Sequence, residues 1–120
     1  MNLFIERTDD IAIVNIPGED LDAHNAKNFK KSIEPLLSEN LRIVFDLSEL
    51  NFVDSSGLGA ILSCLRRLNS AGGDLKLCGL STSVRALFEL VRMHRIFDIY
   101  NNSDEACRAF ALTDPVTELS

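Results

Sequence analysis

The chemistry-bearing side chains of this 120-residue chain concentrate in one run, Asp54-Ser55-Ser56-Gly57-Leu58-Gly59. It sets a carboxylate beside two hydroxyls and two glycines. A serine hydroxyl can be a nucleophile, a phosphate acceptor or a helix cap. As a nucleophile it needs a positioned base, and the chain has only two histidines, His24 and His94. No GxSxG elbow surrounds either serine, so a serine hydrolase is not supported. GxxxxGK[ST] and GxGxxG are both absent, and Gly57-Leu58-Gly59 is too short to cradle a nucleotide. No catalytic residue is assigned, and the chain reads as a non-enzyme.

The remaining reactive groups are sparse. Cys64, Cys78 and Cys107 form no CxxC and no metal-ligand spacing with the histidines, and fit small apolar core positions in a reducing cytoplasm. Asp20 and Asp22 could form an acid/base pair only beside a second group in a pocket. Their plain reading is a loop acid and a helix N-cap.

The elements that must position the Asp54 run follow from hydrophobic spacing. Leu41 to Asp46 is a short apolar run, a buried-strand pattern, and residues to about Ser70 after Asp54 repeat apolar side chains at Leu58, Ile61, Leu62, Leu65 and Leu68, a helical stripe. The two hydroxyls therefore stand at a helix N-terminus, where free N–H groups and the helix dipole favour negative charge. Two readings stand here. Ser55 or Ser56 caps the helix, or one of them accepts a phosphate. Asp-Ser-Ser is more than one cap requires, and first-turn glycines weaken a helix unless another backbone must approach closely. The opposite helix face, Gly57, Ala60, Cys64, Arg67 and Ala71, is small enough to receive a partner.

Elsewhere, Leu3–Arg7 and Ile11–Pro17 read as a hairpin around Thr8-Asp9-Asp10. Ala23 to about Leu37 has helical spacing, capped by Asp22, with Pro35 expected to kink it or end it early. Gly72-Gly73 terminates the Asp54 helix. Asp74–Cys78 is a strand. Ser81–Val91 is a helix capped by Ser81 or Ser83, with Val84, Leu87, Phe88 and Val91 inward. Ile96–Tyr100 is a strand and Asp104–Leu112 a helix. Alternation of strands and helices implies an α/β domain with a mainly parallel sheet and an antiparallel N-terminal edge. Residues 1–112 form that domain, and 113–120 read as an unpacked tail.

Composition sets outer limits. A hydrophobic content of 46% suits one globular domain. No apolar run approaches the ~20 residues of a membrane span, and the N-terminus has no signal-peptide pattern. A formal charge of −6 disfavours nucleic acid. Arg92-Met93-His94-Arg95 reads as a solvated helix end. The expectation is a cytoplasmic protein that meets neither nucleic acid nor membrane.

Ile43 to Leu62, with Asp54-Ser55-Ser56-Gly57-Leu58-Gly59 at a strand-to-helix position, resembles the signature of the STAS family, and more narrowly of bacterial anti-sigma-factor antagonists. The resemblance extends to Gly18-Glu19-Asp20-Leu21-Asp22, to Gly72-Gly73 with its following strand, and to Val84-Arg85-Ala86-Leu87-Phe88. It implies a STAS-like domain with about four helices packed largely on one face of the sheet. It also implies a mechanism. The unphosphorylated chain binds an anti-sigma factor that is a serine kinase, and so frees the sigma factor. The kinase, which holds the ATP, phosphorylates Ser55; a PP2C-type phosphatase reverses this. The chain itself needs no cofactor and no metal. Partner contacts would fall on Asp22, Asp54, Ser56, Gly57, Leu58, Gly59, Ala60, Cys64 and Arg67. The alternative is a STAS scaffold or ligand-sensing subunit of a signalling or transport complex outside sigma control. The loop Gly-Glu-Asp-Leu-Asp is one residue longer than the usual Gly-Glu-Leu-Asp, which leaves its own partner contacts open.

Overall fold

The computed structural model describes residues 1–112, so the tail at 113–120 lies outside the described residues. A five-stranded sheet runs in the order β1-β2-β4-β6-β7. β1 (Phe4–Thr8) is antiparallel to β2 (Ile11–Asn15), whereas β4 (Arg42–Asp46), β6 (Asp74–Cys78) and β7 (Asp98–Tyr100) continue in parallel. The β1–β2 turn needs only Asp9 and Asp10, with Asp9 in the left-handed region that Asp tolerates. A two-residue ladder, β3 (Asp20–Leu21) with β5 (Phe52–Val53), stands apart from the main sheet. These short strands escape a periodicity reading, because two residues carry no period.

Helices α1 (Ala26–Glu39), α2 (Ser55–Ser70) and α3 (Thr82–Leu90) share one core with one sheet face. α1 contributes Phe29, Ile33, Leu36 and Leu37, each worth roughly 1.5–3 kcal/mol when fully buried. Helix α4 (Ser103–Leu112) covers the other face through Ala106 and Phe110, over Ile11, Ile13, Val44 and Cys78. Lys76 is the one buried charged residue among those described. Its ammonium reaches Asp98 at 2.9 Å and Asp74 at 3.3 Å and lies 4.7 Å from the centre of the Phe110 ring.

Four expectations need correction, and one alternative is decided. Asp22 does not cap α1; Asn25 holds the N-cap position, and Asp22 to Asn25 form a turn in which the Asp22 carboxylate accepts from the His24 N–H. Pro35 does not stop α1, which continues to Glu39 because burial of Leu36 and Leu37 outweighs one missing hydrogen bond. Val91 is exposed, since α3 ends at Leu90 and Arg92 turns the chain away with φ 62°. The last strand begins at Asp98, not Ile96, after a 3-10 turn at Met93–Arg95. Ser81, not Ser83, caps α3, its Oγ accepting from the Val84 N–H at 3.2 Å.

Candidate functional site

The Asp54 run sits where two chain segments meet. β5 delivers Val53 to the core and α2 begins two residues later. β3 runs beside β5, so the Gly18–Asp22 loop and the Asp54 loop lie side by side. The Glu19 carbonyl accepts from the N–H groups of Asn51 and Phe52, and the Leu21 carbonyl from that of Asp54. The additional loop residue is absorbed without disturbing the core: Asp20 points outward and Leu21 is fully buried.

Asp54 is the cap of α2. Its Oδ1 accepts from the Gly57 N–H at 3.0 Å, and its Oδ2 accepts from the Ala23 N–H at 3.0 Å. One carboxylate thus closes the helix N-terminus and ties it to the neighbouring loop. The Gly57 N–H above all, then those of Ala23 and Ser56, holds the Asp54 carboxyl below its ordinary titration range. Behind Ala23, Asn25 fixes the turn, its side chain accepting from the Asp22 N–H and donating to the Asp20 carbonyl.

With Asp54 as cap, the serines are left over. Ser55 and Ser56 are exposed, and neither hydroxyl has a hydrogen-bond partner among the described residues. Of the two readings left open by the sequence, capping by a serine is therefore removed.

The glycines separate into two kinds. A Cβ at Gly57 would fall on the Leu21 carbonyl oxygen, so the close approach of another backbone comes from the chain's own β3. Gly59 is exposed and faces open space, with nothing within 4 Å of where a Cβ would stand. Among the described residues nothing requires Gly59.

The small-residue face of α2 is not a free surface. Gly57, Leu58, Ala60 and Cys64 are all buried. α2 is flanked on that side by β3 and α1, so small residues there let elements of the same chain pack closely. Arg67 is exposed but pairs with Glu34 and Ser38 of α1. Burial pushes the Cys64 thiol up to about 12. The first half of α2 presents Ser55, Ser56 and Gly59 outward, with Leu62 and Ser63 half-buried, and its last turns expose Arg66, Arg67, Asn69 and Ser70. Phe52, on β5 beside Val53, is 53% exposed. Sequence reasoning passed over it, although a large aromatic two residues before the Asp is a visible signal. Among the described residues no group of three or more His, Cys, Asp or Glu is placed to hold a metal ion.

Comparison with known proteins gives the family and the fold. The family model for the STAS domain matches residues 2–106. The chain is 33% identical over 110 residues to an anti-sigma F factor antagonist of Paenibacillus polymyxa, covering 88% of this chain and 93% of that one. An anti-sigma factor antagonist from Mycobacterium paratuberculosis shares the fold at TM-score 0.80 and 22% identity, over 90% of this chain and 92% of that one. The Bacillus cell fate determinant SpoIIAA, solved in its phosphorylated form, shares it at TM-score 0.66 and 22% identity, over 90% and 99%. At those identities the two structures show the fold.

Proposed function

The chain belongs to the STAS domain family, and we propose that it is an anti-sigma-factor antagonist switched off by phosphorylation at Ser55. The observation that carries this reading is the division of labour at the head of α2. Asp54 performs the capping, and the adjacent Ser55 hydroxyl stands exposed without a structural task. The partner is an anti-sigma factor with serine kinase activity, which binds the ATP. A PP2C-type phosphatase restores the unmodified form. The chain is ligand and substrate in this scheme, not a catalyst.

The docking surface is narrower than the sequence implied. It comprises Ser55, Ser56 and Gly59 on the outer face of α2, with Leu62 and Ser63 at its margin, Phe52 beside it, and the Asp22–Ala23 turn held alongside by Asp54. Gly57, Leu58, Ala60 and Cys64 support this surface from below. Gly59 lets a partner backbone approach α2 without meeting a side chain.

Phosphorylation would place a charge of about −1.5 to −2 on Ser55. The phosphate would stand beside a carboxylate that already occupies the first-turn N–H group, so the helix end can compensate it only in part. Against a partner carboxylate ~6 Å away, at an effective dielectric of ~20, each unit of that charge is repelled by roughly 3 kcal/mol. That is on the order of a hundredfold in affinity. The switch needs no refolding of the domain.

The test is phosphorylation mapping with the kinase partner. Phosphate on Ser55, lost in Ser55→Ala while binding persists, is the expected result. Phosphate on Ser56 alone would move the switch to the second serine.

A further inference from the structure

The edge of the sheet at β1 carries features that the switch does not use. All five residues of β1 are exposed, and β2 is its only strand partner among the described residues. The strand has no proline and no bulge, and its register with β2 is unbroken from Phe4 to Thr8. Phe4 is 77% exposed and Ile5 42% exposed, on opposite faces of the sheet. An unpaired straight edge with exposed apolar side chains is a template for another strand.

What lies on either side of that edge differs. On the α4 face, a cavity of about 360 Å³ is lined by Phe4, Glu6, Ile13, Asp46, Glu49 and Ser103; three of its lining residues are acids and none is basic. On the α1 face, a cavity of about 430 Å³ is lined by apolar and polar groups in equal part, Met1, Leu3, Ile5, Pro35 and Leu36 against Asn2, Arg7, Ser32 and Glu39. Arg7 is already engaged by the Asn40 side chain at 2.8 Å. A strand laid beside β1 would send alternate side chains toward the acidic cavity and the others toward the mixed one, because side chains alternate across a strand.

We propose that the β1 edge binds an extended segment of a partner protein in which every second residue is basic. Main-chain hydrogen bonds to β1 supply the attachment and the acidic cavity supplies the selection. The net charge of −6 also favours a basic segment. A second copy of this chain fits poorly. Antiparallel pairing of two β1 edges about a twofold axis normal to the sheet keeps each face on its own side, so it would bring the copy's Glu6 to the cavity already holding Glu6, Asp46 and Glu49.

The experiment is an NMR titration of the ¹⁵N-labelled full chain with a blocked peptide of three Lys-Val repeats, and with a blocked Glu-Val counterpart. The Lys-Val peptide is expected to give saturable shifts confined to residues 1–8 and their cavity neighbours. Amide exchange should slow on alternate residues of β1. Glu6→Lys, at an exposed position, should keep the fold's spectrum and weaken that binding roughly fivefold. Ser55→Asp should leave it unchanged, which separates this surface from the switch. Equal response to both peptides, no saturable shift in β1, or shifts centred on the Asp54 loop would overturn the proposal. Concentration-dependent protection of β1 without peptide would do so too, by giving the edge to a second copy.

Discussion

At the scale of single residues, the Asp54 carboxylate is the joint of the site. It serves α2 and the Ala23 turn with separate oxygens. Its depressed titration has a signed consequence. A carboxyl whose folded value lies below the ordinary 3.8 adds stability above that pH and loses it as pH falls through the folded value. Thermal melts of wild type and Asp54→Ala should therefore differ at neutral pH and converge below the carboxylate range. A constant gap down to strong acid would contradict the clamp. The glycines give a second residue-scale contrast. Gly57→Ala must push β3 away from α2 and should cost about 1–3 kcal/mol, as overpacking does. Gly59→Ala meets nothing and should stabilise by roughly 0.5–1 kcal/mol through helix propensity. Chemical denaturation of the two variants measures both. If Gly59→Ala also impairs partner binding, the glycine is kept for the interface.

At the scale of elements, α2 shows what the sequence made legible and what it did not. Its limits, its core stripe and its glycine stop at Gly72-Gly73 were readable, because apolar spacing and punctuation are local. The role of its small-residue side was not. Gly57, Ala60 and Cys64 look alike whether they face a partner or the chain's own β3 and α1, and only the tertiary neighbours decide. Asp54 as cap was missed for a related reason: Asp and Ser are both good caps, and which one closes the helix depends on where α2 begins by a single residue. The thiols test the packing of these elements. Cys64 lies on the α2 side near α1, and Cys78 in β6 under α4; burial pushes both thiols up to about 12. Cys107 on α4 is only partly buried. A thiol-specific reagent at neutral pH should label Cys107 first and leave the other two until the chain unfolds. Early labelling of Cys64 would mean that α1 and α2 separate in the native state.

At the scale of the whole molecule, the sheet keeps its two tasks apart. Strands β2, β4 and β6 carry the core, while the added β3–β5 ladder brings two loops together at one end. The α/β class and the antiparallel first hairpin were accessible from the sequence, since alternation and turn residues specify them. The β3–β5 ladder was not, being two residues long on each side. The consequence is a rigid platform: Leu21 and Val53 are buried on either side of the ladder, and a charge placed on Ser55 alters the surface without demanding a new fold. Ser55→Asp should accordingly melt within a few degrees of wild type. The central claim, a switch by charge at Ser55, is tested most directly by calorimetric titration of the cognate anti-sigma factor with the unphosphorylated chain and with Ser55→Asp. The account predicts tight binding by the former and a loss on the order of a hundredfold for the latter, with the domain intact. Equal affinity of the two folded proteins would contradict it.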